Sequence, residues 1–478
     1  MAEALRKLVI AHTNDIHSHF EQMPQIATVI QEIKNRHGLE HLITVDCGDH
    51  MDRMRMETEG TNGQANIGIM NATGYDLVTL GNNEGLTLSM DDLAEAYGKH
   101  AEFLVLCSNL FEDTTKKHPS WLKPYHIMEK DGLQIGFIAV TAPYDEFYIL
   151  LGWDVRDPFE TTSYWVNHLR EQVDVLIVLS HLGLTNDQRM AKEIAGIDLI
   201  LGGHTHHLLE VPLLVEQTYL CATGKFGQYV GEVELTYDPE NKRIHEVKGR
   251  CIPVKDYEPS SFITQKNQFY QEKSAIELNQ VVVKLEQPVV INWYEESDFG
   301  NLLAAGIRKW VKADIGIVNA GQILQSLMPG EVTKEQLLHL CPSPINPCLM
   351  RLEGKHIIKA LEESLQIAFQ EKAILGYGFR GKLLGTLCTD GLEVEYDPEG
   401  ADYKRITNIW VKGDLLQSEQ TYLVGTIDMF TFGIGYMSLK EGKQIEFSLP
   451  EFLRNLLVFE LGDPTSLLKS RDRHWHKL

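Results

Sequence analysis

Lys7-Leu8-Val9-Ile10-Ala11-His12-Thr13-Asn14-Asp15-Ile16-His17-Ser18-His19 is the stretch on which the fold turns. Leu8 to Ala11 is a short apolar run, the pattern of a buried strand. It breaks into a polar turn that carries Asp15 and His17, one residue apart. A carboxylate and an imidazole just past a strand end can face one point, and together they suit a divalent metal. Taken alone the pairing is common, and a loop Asp capping a turn beside a solvent-facing His explains it equally well.

Later stretches repeat the arrangement in order. Leu42 to Asp46 is an apolar strand pattern running into Cys47-Gly48-Asp49, and Leu77 to Leu80 runs into Gly81-Asn82. Val175 to Ser180 ends in His181, and Leu199 to Leu201 ends in Gly202-Gly203-His204-Thr205-His206-His207. Each strand is expected to deliver a Gly, Asp, Asn or His to the same edge of one sheet. Glycine beside a ligand lets the backbone approach a metal without a Cβ clash. Oxygen and imidazole ligands in these proportions suit two divalent first-row metals sharing one bridging carboxylate.

Asn14-Asp15-Ile16-His17, Gly48-Asp49, Gly81-Asn82, Ser180-His181 and Gly203-His204-Thr205-His206 resemble the motifs of the calcineurin-like metallophosphoesterases. The branch they resemble most is the 5′-nucleotidase family, which includes UDP-sugar hydrolases and cyclic-nucleotide phosphodiesterases. The resemblance covers nearly the whole chain. It implies an α/β fold: a four-layer α-β-β-α sandwich followed by a second α/β domain of the 5′-nucleotidase C-terminal type.

Length and composition agree with that division. At 478 residues the chain is long for one core. Lys plus Arg is 44 against 67 Asp plus Glu, a net charge of −23, which disfavours binding to nucleic-acid polymers or membrane surfaces. No secretory signal and no membrane-spanning run is visible. The seven cysteines are scattered without CxxC spacing, so reduced thiols and a cytoplasmic location are expected. Alternating apolar and amphipathic segments fill residues 1–255, with helical spacing over 24–36, 62–74 and 91–100. Residues 256–285 read as a polar linker helix and 286–478 as the second, substrate-recognising domain. Ser297 or Asp298 is the expected N-cap of a helix running to Trp310. The charged end, from Asp463, reads as a frayed tail with His474 and His476 solvated.

Carried over from the resemblance, Asp15, His17 and His206 hold one metal, Asn82, His181 and His204 the other, and Asp49 bridges them. The implied cofactors are two divalent ions (Mn, Zn, Fe or Co), and the implied chemistry is in-line attack of a metal-bridging hydroxide on a nucleotide or related phosphate ester or anhydride. A cyclic-nucleotide or nucleotide-sugar phosphodiesterase, and a nucleotide-binding protein of negligible turnover, are the competing readings. His19, His50 and His207 read as supporting or solvated groups.

The family usually has Gly-Asn-His-Glu-x-Asp where this chain has Gly81-Asn82-Asn83-Glu84-Gly85-Leu86. Asn83 therefore stands at the position of the catalytic His and Leu86 at that of its Asp. An amide has no proton to give at neutral pH. Asn82, Asn83 and His207, the last as a spare acid, are the residues to test for catalysis. The family's Gly-Gly-Ile-Arg turn appears as Ala320-Gly321-Gln322-Ile323, without its Arg, and Gly-Gly-Asp-Gly-Tyr as Phe432-Gly433-Ile434-Gly435-Tyr436, without its Asp. Phe430, Phe432 and Tyr436, with Tyr377 and Phe379, are candidates to stack a nucleotide base, although core packing suits them as well. Arg351 and Arg380 are candidate anion contacts. A site drawing on both halves of the chain is expected.

Overall fold

The computed structural model describes residues 5–374, 376 and 378–478; Tyr377 lies outside the described residues. The chain divides into two compact units, one up to Ala275 and one from Ile276. The division falls inside the Ser261–Leu278 helix, within the stretch read from sequence as a linker.

The first unit is built on two large sheets, besides a two-stranded pair of Leu110–Glu112 with Trp153–Val155. Seven strands form the first, in the order Arg243–Pro253, Tyr229–Asp238, Arg6–Thr13, Leu42–Asp46, Leu77–Thr79, Leu104–Leu106 and Leu122–Lys123. Six form the second, in the order Leu213–Val215, Thr218–Cys221, Leu199–Gly202, Val175–His181, Leu133–Thr141 and Tyr125–Lys130. Alternate residues of each central strand explain the layering. Leu8, Ile10, Ile43 and Val45 of the first sheet share one core with Phe137, Ala139, Ile177 and Leu179 of the second. Their neighbours point the other way. Val9, Ala11 and Val78 pack on Ile26, Ile30 and Ile33 of the Met23–His37 helix, and Ile138, Val140 and Val178 pack with Leu169 and Met190. Both faces of the central strands are buried, which is why those strands read as unbroken apolar runs.

This arrangement corrects the expectation of a single sheet edge. The strands leading to Asp15, Asp49 and Asn82 are parallel neighbours in the first sheet, and those leading to His181 and His204 are parallel neighbours in the second. An apolar run states that a strand is buried but not which strand it pairs with.

The second unit is built on a five-stranded sheet in the order Leu387–Asp390, Ile315–Asn319, Thr421–Ile427, Pro347–Glu353 and Lys443–Phe447, with a four-stranded sheet beside it in sequence and core. Leu302, Leu303 and Ile307 of the Asp298–Trp310 helix join its core. Ser297 occupies that helix's N-cap position but makes no side-chain capping bond. The tail is not frayed. Trp475–Lys477 pairs in parallel with Leu392–Tyr396, Trp475 packs edge-on to Tyr396 at 5.8 Å, and His474 and His476 both engage Glu393, at 3.2 and 2.8 Å. Burial of the indole and the Glu393 carboxylate order a segment whose composition reads as solvated. All seven cysteines are free, and among the described residues no helix is long and apolar enough to cross a membrane.

One buried carboxyl in this unit gives a pH test. Burial pushes Asp428 up to about 7 although it accepts N–H bonds from Asn346 (3.1 Å) and Met429 (2.5 Å). The fold then keeps a proton that the unfolded chain loses near pH ~4. Stability from this group is full below pH ~4, declines as pH rises, and is lost above about 7. Wild type should lose roughly 1–4 kcal/mol relative to Asp428→Asn between those limits, read from denaturant midpoints. Equal slopes in the two proteins would show that Asp428 stays ionised in the fold.

Candidate metal centre

The candidate ligands sit in backbone that ordinary residues avoid. Asp15 (φ 50°), His17 (φ 48°), Asp49 (φ 52°), His204 (φ 75°) and His206 (φ 59°) are all in the left-handed region. Such residues are uncommon outside glycine, although Asp and His are among the more tolerant. Each costs on the order of 1 kcal/mol or more, and the strain concentrates where the sheets' strand ends meet. Close backbone approach explains the neighbouring glycines. A Cβ on Gly81 would lie 2.1 Å from Asp49 Oδ1, and one on Gly48 would lie 2.4 Å from the Gly81 nitrogen.

The side chains converge in two groups. Asp15, His17 and His206 offer ligand atoms within 4.8 Å of one another, and so do Asp49, His181 and His204. His17 Nε2 lies 3.1 Å from His206 Nε2, and Asp15 Oδ1 is 3.8 and 3.4 Å from those two nitrogens. Asp49 stands between the groups, with Oδ1 3.3 Å from His181 Nε2 and Oδ2 3.9 Å from His17 Nε2. His19, His50 and His207 are not in either group. His19 bonds Glu21 at 2.6 Å, His50 is buried between Asp46 and Tyr97, and exposed His207 bonds Thr205 Oγ1 at 2.8 Å.

Two orphaned atoms test whether a cation fits. His181 is fully buried and its Nδ1 donates to the Cys47 carbonyl at 2.8 Å. That bond leaves the Nε2 lone pair for the centre, the way protein contacts orient metal-bound imidazoles. His181 Nε2, 3.3 Å from Asp49 Oδ1, makes no hydrogen bond of normal geometry, and Asn82 Oδ1 is likewise buried without one. Buried acceptors are seldom left unpaired. An oxygen-and-imidazole set with two orphans fits divalent ions.

Charge tells the same story. Burial opposes ionisation of His181, but Asp49 and then Asp15 outweigh it and lift its pKa to about 10. Burial likewise opposes the charge on Asp49, but His181 and His17 hold its carboxyl well below the usual carboxylate range. Burial, then the His181 charge, pushes His204 down to about 4, and burial lowers His17. The carboxylates thus favour positive charge at this place.

The sequence did not single out the groups that brace the ligands. Glu84 is fully buried, and its oxygens accept from the backbone nitrogens of Gly81 (2.7 Å), Asp49 (3.0 Å) and Met51 (2.8 Å). Asn14 Nδ2 holds Asp15 Oδ2 at 2.7 Å while its Oδ1 accepts from Thr223. Their only visible signal was adjacency to the ligand motifs. Glu84→Ala would orphan three buried N–H groups at about 1–3 kcal/mol each. A stability loss of several kcal/mol and weaker metal retention are expected; calorimetry and elemental analysis on one preparation check both.

Asn83 is not free to act on a substrate. Its N–H donates to Asp49 Oδ1 at 2.8 Å, and its amide bridges His17 Nδ1 and the Met51 carbonyl, each at 3.0 Å. The aromatic candidates of the second unit need correction too. Phe430 and Tyr436 are fully buried core side chains, with the Tyr436 hydroxyl donating to the Gly385 carbonyl at 2.7 Å, and Phe379 is 4 % exposed. None can receive a base without unpacking the core. Phe432 is 48 % exposed. Arg351 is exposed on a strand, and Arg380 bonds the Phe379 carbonyl through its guanidinium.

Comparison with known proteins agrees in both halves. The calcineurin-like phosphoesterase family matches residues 8–208 and the 5′-nucleotidase C-terminal domain matches residues 281–441. An uncharacterised metallophosphoesterase of Bacillus subtilis, YunD, is 38 % identical over 95 % of this chain and 99 % of its own. The 5′-nucleotidase of Vibrio cholerae is 25 % identical over 75 % of this chain and 76 % of its own. Among solved structures, the NAD nucleotidase of Haemophilus influenzae superposes with a TM-score of 0.69 at 17 % identity, covering 99 % of this chain and 98 % of that one. The chain belongs to the 5′-nucleotidase family of calcineurin-like metallophosphoesterases and is a metal-dependent phosphoester hydrolase.

Proposed function

We propose that this hydrolase acts on a nucleotide, or a related phosphate ester or anhydride, with two divalent ions. Asp15, His17 and His206 would hold one, Asn82, His181 and His204 the other, and Asp49 would serve both. The observation that carries this reading is the pair of three-residue groups that share Asp49's surroundings, with two buried acceptors unpartnered. When bound, such ions supply Lewis-acid charge to a phosphoryl oxygen and acidify nearby water.

The chain's own residues do the positioning. Glu84 fixes the turns that carry Asp49 and Asn82, and Asn83 fixes Asp49 and His17. A phosphate would enter on the His206 side, where that imidazole is 34 % exposed. Tyr144, 38 % exposed with its hydroxyl 3.3 Å from His204 Nε2, flanks the same entrance. No proton donor stands at residue 83. The leaving group therefore has to depart as a stable anion, which favours anhydrides, nucleotide sugars included, over simple nucleoside monophosphates. A cyclic-nucleotide diester is the second reading on the same ligands.

Purified protein loaded separately with Mn, Zn, Fe or Co, or stripped with EDTA, should be given phosphomonoesters, diesters and anhydrides. Metal-dependent turnover that is fastest on the anhydrides is expected. No turnover with any metal would leave a nucleotide-binding protein instead.

A further inference from the structure

The Ser261–Leu278 helix exposes two large aromatic side chains, Phe262 at 55 % and Phe269 at 56 %. Lys266 and Lys273 follow each by four residues, so Phe262, Lys266, Phe269 and Lys273 form one stripe of the helix. The stripe walls a cavity of about 440 Å³ whose other side is the Gln64–Thr73 helix. That volume lies in the range of small-molecule sites. Gly68 sits mid-helix at its floor, where glycine costs about 1 kcal/mol against alanine. A Cβ there would lie 1.9 Å from the Tyr270 hydroxyl, so only glycine lets Tyr270 close the floor.

Charge defines what would fill the cavity. Lys273 Nζ bonds the Gln64 amide oxygen at 3.2 Å, and Lys266 Nζ lies 5.7 Å over the Phe262 ring. Among the described residues neither lysine is in an ion pair. In a chain of net charge −23, two lysines without carboxylate partners and two exposed aromatic side chains stand on one wall. Glu102 also lines the cavity and repels an anion from its own end.

We propose that this cavity is a second, non-catalytic binding site for a nucleoside phosphate. The base stacks on Phe262 or Phe269, worth about 1–3 kcal/mol, and the phosphates lie between Lys266 and Lys273. None of the candidate metal ligands lines it.

The test is a fluorescence titration of the full chain, stripped with EDTA, with mant-ADP as the probe. Lys266→Glu/Lys273→Glu and Phe269→Ala are compared with wild type after thermal melting confirms that each is folded. Saturable binding to wild type is expected, competed by ADP but by neither pyrophosphate nor adenosine alone. Each variant should weaken it on the order of tenfold, or about 1.4 kcal/mol, while metal-loaded turnover of p-nitrophenyl phosphate is unchanged. Absence of saturable binding overturns the proposal. So do unchanged affinity in both variants, which places the probe elsewhere, and equal competition by pyrophosphate, which reduces the patch to a non-specific anion contact.

Discussion

Asp49→Ala should strip the protein of metal and lower kcat/KM by about 10³-fold or more, since each ion is worth several kcal/mol of transition-state charge stabilisation. The Asp49 carboxylate approaches imidazoles of both groups, 3.3 Å from His181 Nε2 and 3.9 Å from His17 Nε2. On the proposed reading its loss removes a ligand from both places at once, and it leaves His181 without the partner that raises its pKa to about 10. Alanine also sits poorly at a backbone φ of 52°, where Asn is tolerated. Asp49→Asn therefore separates the two effects. It keeps an oxygen for the Asn83 N–H and the backbone shape, yet withdraws the charge, so metal retention should still drop while the melting temperature changes little. Elemental analysis and turnover on both variants read this out. Unchanged metal content in Asp49→Ala would sink the assignment of Asp49 to the centre.

The parts of this molecule that could be read from sequence are those in which one residue's neighbours in the chain determine its environment. Leu8 to Ala11 and Val175 to Leu179 are apolar at every position because sheet and helix bury both their faces, and the polar residues that break each run lie near a strand end. Pairing is a different matter. Nothing in Leu199–Gly202 says that it lies beside Val175–His181 and not beside Leu42–Asp46, so the ligands' origin in two sheets was invisible. Glu84 was invisible for a related reason: its work is to accept three backbone N–H groups brought together by separate turns, and backbone groups leave no trace in a sequence. Phe430 and Tyr436 show the converse. An aromatic residue beside a glycine turn reads the same whether it lines a pocket or fills a core, and here the second holds. The charged tail misled through composition, because strand pairing, one indole and the carboxylates of Glu296 and Glu393 dock it.

The hydrolysis rate should fall steeply as the leaving group's pKa rises, with alkyl phosphates about 10²–10⁴-fold below aryl phosphates and anhydrides, the usual worth of a general acid. On the proposed reading Asn83 stands where the family's acid imidazole would be, and its amide is already committed to His17 Nδ1 and the Met51 carbonyl. That commitment changes what a restoring substitution does. Asn83→His with Leu86→Asp supplies an acid but withdraws the strut that holds His17, so the dependence on leaving-group pKa should flatten while metal retention at His17 weakens. Loss of metal without any flattening would mean that the introduced imidazole does not reach the leaving group. His207, the spare acid expected from the sequence, stands exposed with its Nδ1 bonded to Thr205 Oγ1, a supporting contact. His207→Ala should therefore leave the steep dependence as it is. The decisive measurement is a series of phosphate esters graded in leaving-group pKa on wild type, the double variant and His207→Ala. A flat series in wild type that turns steep only in His207→Ala would give the acid's role to His207, and the chemistry of this branch would not be limited to good leaving groups.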